Sequence, residues 1–278
     1  MLKKLWERIK PANKEHVPET LPKCAVNYVW INNAAFVPDP ENGKICGVPL
    51  VWLDNAAENA KKYKEAEFKV WLDYLLLDKN SLKMAVDHIN GIDNLRVYDL
   101  KDAIGEYLND PIFYEPKDIW ARVDFAKILV CKHCFENTDA ERVFFSDFDI
   151  EDIMLDRDVI HNSLDGAGVF FGATLEDGNV ENSFLAFQKG AGEEFINEYL
   201  LPATHNDASF NLNGYVALQD SLNRWLDDGK SILPYHKLMY PMAHKTGIET
   251  SQNPDYERVN GDKVVEVKCS AEYTYLPL

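Results

Sequence analysis

The chain has 278 residues, 46% of them hydrophobic, and its 46 acidic residues outnumber 29 basic ones, so the net charge is −17. This length and apolar content suffice for one large buried core, and neither glycine nor proline is frequent enough to indicate disorder. The charge argues against a broad nucleic-acid surface, because phosphate backbones require basic patches. A phosphate ligand whose charge is masked by a metal ion is compatible with this composition.

No apolar run approaches the roughly 20 residues that span a bilayer. Residues 1–10, MLKKLWERIK, also lack the long apolar core of a signal peptide, so we expect a cytoplasmic protein. The same residues combine basic side chains with an apolar face that includes Leu2, Leu5 and Trp6. One interpretation is a peripheral helix on the inner face of an anionic membrane. The alternative is a helix packed on the protein body, or a frayed end.

Five cysteines, an odd number, fit reduced thiols better than a disulfide framework. The motif CKHC, from Cys131 to Cys134, has the spacing of redox and zinc sites. However, it lies late in the apolar-periodic segment IWARVDFAKILVCKHCF, where a spacing of three aligns two side chains along a helix. No second CxxC supplies the other ligands of a closed zinc site. We predict that both cysteines are structural.

Strand and helix patterns alternate along the first half of the chain. Residues 24–32 alternate like a strand, and the helical pattern that follows has Asp54 as its predicted N-cap. Further strands are predicted at 67–74, at 95–100 and up to Ser146, with helices near 79–92, near 101–108 and from about 117. This alternation is typical of a parallel sheet covered by helices.

The second half of the chain is predicted to add further strands and helices to this sheet. Its patterns predict strands at 167–175 and 182–190, helices at 192–203 and 215–228, and irregular structure beyond Pro234. We find no internal repeat, linker or low-complexity segment. The sequence therefore predicts a single domain.

The strand that ends at Ser146 is followed by two aspartates one residue apart, Asp147 and Asp149. Ligands of open α/β sheets bind beyond the carboxyl ends of the strands. Carboxylates that converge there offer hard oxygen ligands to Mg²⁺ or Mn²⁺, and water and the phosphates of a nucleotide diphosphate would complete the shell. The alternative is a pair of solvated turn residues, which are common in acidic proteins.

Four segments carry a family resemblance. They are VNYVWIN, WARVDFAKILV, FFSDFDI and ENSFLAFQKGAGEEFI. In order and approximate spacing, over residues 25 to about 220, they resemble the GT-A glycosyltransferases with a DXD sugar-binding motif. That group includes capsule and lipopolysaccharide sugar transferases, yeast outer-chain mannosyltransferases and the clostridial glucosylating toxins.

The resemblance implies a role for one or two residues of each segment. Trp30 would lie against the nucleotide base, and Asp124 would be the sugar-binding aspartate of the helix before the DXD strand. Asp147 and Asp149 would be the DXD pair that holds the metal. Asn182 would contact the sugar or the acceptor.

The sequence also departs from the family pattern. Lys127 stands three residues after Asp124, where the family has an arginine, and lysine lacks the bidentate fork of a guanidinium. Arg122 would then supply the missing guanidinium. The usual GG before the DXD strand is replaced by CKHCFENTDAE. In PMAHKTG, His244 is similar to a metal ligand that several of these families take from a late loop, and Lys245 would reach a phosphate.

These residues also have structural explanations. Trp30 is a candidate for simple core packing, because indole is commonly buried in a first strand. Charged residues such as Arg122 and Asp124 usually mark the solvated face of a helix, although the apolar neighbours of Asp124 favour a functional role. Asn182 would only shape a turn, and His244 would be an ordinary loop histidine.

The resemblance implies an α/β fold of the GT-A-like, Rossmann type, with a nucleotide-binding half at 23–155 and an acceptor or sugar-side half at 156–278. The N-terminal residues, 1–22, are predicted to form a helical extension. The resemblance also implies a nucleotide-sugar donor, with a UDP-sugar favoured, and Mn²⁺ or Mg²⁺ as cofactor. The acceptor would be a glycan, a lipid-linked glycan or a protein, and the transfer would retain the anomeric configuration. Two alternatives stay open, a nucleotidyltransferase or phosphohydrolase, and a non-catalytic protein on the same fold.

Overall fold

A mostly parallel sheet lies at the centre of the computed structural model. The residues that the structure describes are 23–31, 44–45, 48–74, 79–110, 119–148, 150, 153, 169–171, 182–210, 214–230, 233–234, 267–269 and 273–275. The helical extension predicted at 1–22 lies outside these residues.

The strands, in chain order, are β1 (Cys24–Trp30), β2 (Lys44–Ile45), β3 (Val48–Pro49), β4 (Ala66–Leu72), β5 (Leu95–Asp99), β6 (Arg142–Ser146), β7 (Val169–Phe171), β8 (Phe184–Gln188), β9 (Leu233–Pro234), β10 (Val267–Cys269) and β11 (Tyr273–Tyr275). The helices are α1 (Leu50–Lys62), α2 (Lys79–His88), α3 (Leu100–Ile104), α4 (Ile119–Asn137), α5 (Ala191–Glu194), α6 (Leu201–Phe210) and α7 (Gly214–Asp227). A 3₁₀ turn, Gly105–Asn109, follows α3, and a π-helical turn, Phe195–Leu200, joins α5 to α6.

The main sheet has the strand order β5-β4-β1-β6-β8-β7-β9. Strands β5, β4, β1 and β6 are mutually parallel, whereas β8 runs antiparallel to both β6 and β7. The pairs β2–β3 and β10–β11 form two small antiparallel sheets. The predicted α/β architecture, a mostly parallel sheet flanked by helices, is confirmed.

Alternate strand residues face two apolar cores, as a side-chain period of two requires. In β1, Val26 and Tyr28 belong to the core that includes α1 and α2 residues. Ala25 and Val29 belong to the core that includes α3, α4 and the later helices. Because both faces of the central strands are covered, β1 is apolar at nearly every position, which is typical of a buried parallel strand.

Asn27 is a fully buried polar residue of β1 that ties the sheet to α4. Its Nδ2 donates to the carbonyl oxygen of Phe144 at 3.0 Å, while its Oδ1 accepts from Trp71 Nε1 at 2.8 Å and from Cys134 Sγ at 3.2 Å. The amide is thus satisfied by β6, β4 and α4 at once. Such satisfaction is what permits a polar group in a core.

Two details of the sequence prediction were wrong. Helix α1 begins at Leu50, so Asp54 lies inside the helix instead of capping it. The available boundary signal was Pro49, directly before the helix, because a helix interior does not accommodate proline. Beyond Pro234 the chain is not wholly irregular, because VKC and YTY, rich in strand-forming residues, pair as β10 and β11.

No helix within the described ranges is both long and apolar enough to cross a bilayer.

Candidate functional site

The strand order reverses between β1 and β6. From β1 the chain proceeds to β4 and β5 on one side, and it then returns to place β6 on the other side. In parallel α/β sheets such a reversal opens a crevice at the carboxyl ends of the two strands. Trp30 ends β1 and Asp147 directly follows β6, so the sheet brings both predicted residues to this crevice.

Lys127 of α4 connects two carboxylates at this edge. Its Nζ lies 2.9 Å from Asp147 Oδ1 and 3.4 Å from Asp124 Oδ1. The lysine side chain is 7% exposed, and the Asp124 and Asp147 side chains are 14% and 31% exposed. Lys127 Nζ also lies 5.0 Å from the centroid of the Phe145 ring, within the range of a cation–π contact.

Asn182, two residues before β8, completes this network. Because β8 is antiparallel to β6, its first residues lie beside the carboxyl end of β6, and Asp147 N donates to Ser183 O at 2.7 Å. Asn182 Nδ2 donates to Asp124 Oδ1 at 3.0 Å, and its Oδ1 lies 3.5 Å from Lys127 Nζ. We call Asp124, Lys127, Asp147 and Asn182 the crevice network.

The crevice network holds two carboxylates and one ammonium, so it keeps a net negative charge. Because its members are largely shielded from water, their mutual interactions are stronger than those between surface charges. Asp147 is its most exposed charged side chain, at 31%. Within the network, Asp147 is therefore the charged group most accessible to a ligand.

Arg122 lies two residues before Asp124 on α4 and forms an ion pair with Asp73. The guanidinium Nη2 contacts Asp73 Oδ2, and the two side chains are only 7% and 3% exposed. Asp73 directly follows β4, so it occupies the same position relative to its strand as Asp147 does to β6. Sequence reasoning overlooked Asp73, although an acidic residue immediately after an apolar strand was the available signal.

Trp30 is partly buried and packs against the core on the α1 side of the sheet. Its ring meets that of Trp52 edge to face, with centroids 5.2 Å apart. The Trp30 Nε1 atom is buried and has no hydrogen-bond partner among the described residues. Part of the Trp30 side chain is thus buried by core packing. Its stacking against a nucleotide base stays a prediction.

Two buried asparagines of α1 hold the segment that follows Asp147. Asn55 Nδ2 donates to Phe148 O at 3.1 Å, and Asn59 Oδ1 accepts from Ile153 N at 3.1 Å. Sequence reasoning missed both residues. The signal was two poor helix formers four residues apart on an otherwise apolar helix face.

The predicted metal ligands are only partly described. Asp149, His244 and Lys245 lie outside the described residues. In the part of the chain that is described, no three His, Cys, Asp or Glu side chains are grouped so as to hold a metal ion. Asp147 offers carboxylate oxygens of the kind that Mg²⁺ and Mn²⁺ prefer.

Cys131 and Cys134 are free and fully buried in α4. Burial raises the pKa of Cys134 to about 11 and raises the pKa of Cys131 well above its usual value. Thiols that stay protonated are poor nucleophiles and poor metal ligands. Both side chains lie in the apolar core, which is consistent with a structural role for the CxxC spacing.

Neither a protein-family model nor a curated protein matches the chain. Among solved structures, a transferase variant with two cysteine-to-serine substitutions is similar, with 14% identity and a TM-score of 0.48 over 75% of this chain and 86% of that chain. The PaToxG glycosyltransferase is similar with 13% identity and a TM-score of 0.45, over 75% of this chain and 69% of that chain. The galactosyltransferase LgtC, in complex with donor and acceptor sugar analogues, is similar with 13% identity and a TM-score of 0.40, over 76% of this chain and 72% of that chain.

Proposed function

We propose that the chain is a glycosyltransferase that moves a sugar from a nucleotide-sugar donor, with a UDP-sugar favoured, to a glycan, lipid-linked glycan or protein acceptor. The supporting observation is the crevice network at the carboxyl ends of β1 and β6. Three of the four segments of family resemblance supply its members, which come from α4, from the residue after β6 and from the residues just before β8.

The proposed cofactor is Mn²⁺ or Mg²⁺, with Asp147 and Asp149 as ligands and His244 as a third. The two carboxylates fit such an ion, because hard divalent cations prefer oxygen ligands. When bound, the ion would stabilise the negative charge that develops on the departing nucleoside diphosphate.

The other residues have proposed roles in donor binding. Asp124 and Asn182 already share a hydrogen bond at 3.0 Å, so a sugar hydroxyl would find an acceptor and a donor side by side. Lys127 is a point charge suited to a phosphate oxygen. Arg122 and Lys245 would add contacts to the diphosphate, and Trp30 would lie against the base. We propose retention of the anomeric configuration, as the family resemblance implies.

A thermal-shift screen tests donor binding directly. A nucleotide sugar that binds only the native state raises its stability by RT ln(1 + [L]/Kd), where [L] is the free ligand concentration. We expect one UDP-sugar to raise the melting temperature in the presence of Mn²⁺ and to have a smaller effect with EDTA. A panel in which no nucleotide sugar shifts the melting temperature would favour the non-catalytic alternative.

Product analysis then separates the enzymatic alternatives. A glycosyltransferase releases a nucleoside diphosphate, whereas a nucleotidyltransferase or phosphohydrolase releases pyrophosphate or phosphate. Asp147→Asn and Asp149→Asn should each abolish metal-dependent release of the diphosphate while the fold persists. Asp87→Asn, which removes an exposed carboxylate on α2, is the matched control and should leave turnover unchanged.

A further inference from the structure

A cavity of about 260 Å³ lies between the C-terminal half of α4 and the α3 helix with its 3₁₀ turn. The α4 wall includes Leu129, Lys132 and His133, which share one helix face because residues three and four apart are neighbours. His133 is six residues beyond Lys127, which corresponds to about 9 Å along the helix. None of the residues that line the cavity belongs to the crevice network.

Two aromatic rings form part of the lining. The Tyr107 ring is held edge to face against Phe125, with centroids 5.0 Å apart. The His133 ring is held in the same way against Trp71, at 5.3 Å. Burial lowers the pKa of His133, so its imidazole is mostly neutral at pH 7. An aromatic ring thus borders the cavity on each of its two walls.

Acidic residues surround these rings. Asp102 and Glu106 are exposed and line the α3 side, and Glu136 lines the α4 side. Lys132, the lysine of the lining, forms an ion pair with Glu136 four residues later. Within the described ranges neither Asp102 nor Glu106 has an ion-pair partner. The cavity therefore retains uncompensated negative charge, in a protein whose net charge of −17 already attracts cations.

We propose that this cavity binds a guanidinium group carried on a short aliphatic stem. A guanidinium is planar, stacks on aromatic faces and donates hydrogen bonds in a fork that matches carboxylates. An ammonium is more strongly hydrated and lacks this fork, so it fits less well. The volume is below the roughly 300–1,000 Å³ of pockets for drug-sized ligands, so the ligand is the size of one side chain.

Titration of the full chain with agmatine, followed by calorimetry and by amide chemical shifts, tests this site. We expect saturable binding, with shifts concentrated in residues 102–107 and 129–137. N-butylurea, a neutral compound with a similar planar head, should not bind measurably, and putrescine should bind several-fold more weakly. The double variant Asp102→Asn/Glu106→Gln should bind agmatine about tenfold more weakly, and Tyr107→Leu should also weaken it.

A matched control separates a built site from general attraction to an acidic surface. Glu58→Gln/Asp87→Asn removes the same net charge from exposed positions on α1 and α2, outside the cavity. This control should bind agmatine within twofold of the parent chain. Equal weakening by both double variants, or shifts scattered over the whole surface, would overturn the proposal.

A capped Gly-Arg-Gly peptide distinguishes two sources of the guanidinium. Binding tighter than that of agmatine would indicate an arginine side chain of a partner protein, whereas equal or weaker binding would indicate a free guanidinium compound. Either result supports a guanidinium site, provided that the double variant Asp102→Asn/Glu106→Gln weakens binding of the compound tested. Because the site does not involve the crevice network, these outcomes are independent of nucleotide-sugar binding.

Discussion

Lys127 Nζ lies 2.9 Å from Asp147 Oδ1, which links the middle of α4 to the residue that follows the central strand β6. The same ammonium lies 3.4 Å from Asp124. One buried lysine therefore balances much of the negative charge at the crevice. In the family that the sequence resembles, an arginine stands at this position. The observed geometry shows that a lysine can join the two aspartates without a guanidinium fork.

Lys127→Met should destabilise the fold and abolish donor turnover. Methionine fills a similar volume but leaves two neighbouring carboxylates without their cation, and breaking a buried pair costs about 3–5 kcal/mol. Because Asp147 is 31% exposed, water offsets part of this cost, and we expect a loss of about 1–3 kcal/mol in the free energy of unfolding. Urea unfolding at pH 7 measures this loss of stability.

Lys127→Arg is the matched control for this prediction, since it keeps the positive charge. We expect it to recover most of the stability. It should retain donor turnover only if the crevice accommodates the larger guanidinium. An unchanged urea midpoint for Lys127→Met would contradict the role assigned to the lysine.

Arg122→Met should be at least as destabilising as Lys127→Met. Its partner Asp73 is 3% exposed, so the variant leaves an almost completely buried carboxylate without its cation, at a cost of about 3–5 kcal/mol. The double variant Asp73→Asn/Arg122→Met removes that charge and should regain much of the loss. A double-mutant cycle by urea unfolding gives the coupling between the two residues. Additive effects would show that the ion pair contributes little.

The fold was predictable because its signals are local. The apolar runs of β1 and β6, and the alternation of strand and helix between them, depend on a few adjacent residues each. The carboxyl-end rule predicts a crevice at Asp147 from the position of β6 in the sequence alone. The motifs also selected Asp124 and Asn182, although they did not show that the two side chains share a hydrogen bond.

The pairings of the remaining site residues could not be predicted because the partners are distant in sequence. Asp73 meets Arg122 across 49 positions, and Asn55 meets Phe148 across 93. No periodicity encodes such pairs, and a polar residue on a helix is usually solvated. The predicted start of α1 was wrong for a different reason. Asp54 is a good capping residue by type, and only Pro49 showed that the helix begins earlier.

The stability of the fold should decrease at alkaline pH because of Cys131 and Cys134. Burial raises the pKa of both thiols in the native state, that of Cys134 to about 11, whereas unfolded cysteine titrates near a pKa of about 8.5. The stabilising contribution is therefore complete below about pH 8.5 and is lost as the pH rises towards 11. Each thiol contributes at most about 1.4 kcal/mol per pH unit.

Urea unfolding at pH 8, 9 and 10 measures this dependence. The double variant Cys131→Ala/Cys134→Ala should be less stable at pH 8, because it leaves cavities in the core, but its stability should fall less steeply with pH. Identical slopes for the two proteins would contradict the assignment. At pH 8 a thiol reagent should modify neither residue in the native state, and both should react after unfolding.

Asn55→Ala and Asn59→Ala should loosen the segment that carries the acidic motif. Each variant leaves one buried backbone group without its side-chain partner, Phe148 O or Ile153 N, at a cost of about 1–3 kcal/mol. Hydrogen exchange at the Ile153 amide should accelerate in Asn59→Ala, and less so in Asn55→Ala, because only Asn59 accepts from that amide. Asn90→Ala, which changes an exposed asparagine in a turn, should leave this exchange unchanged.

The same variants separate anchoring of the acidic segment from stability alone. If α1 holds Asp147 in position through Phe148, Asn55→Ala should reduce turnover of the donor about tenfold at a temperature where the variant remains fully folded. Saturating donor should not restore the rate, because the defect lies in the placement of a carboxylate and a misplacement of about 1 Å can cost a hundredfold. A variant that loses stability but keeps the parent turnover number would show that Asn55 serves the fold and not the site.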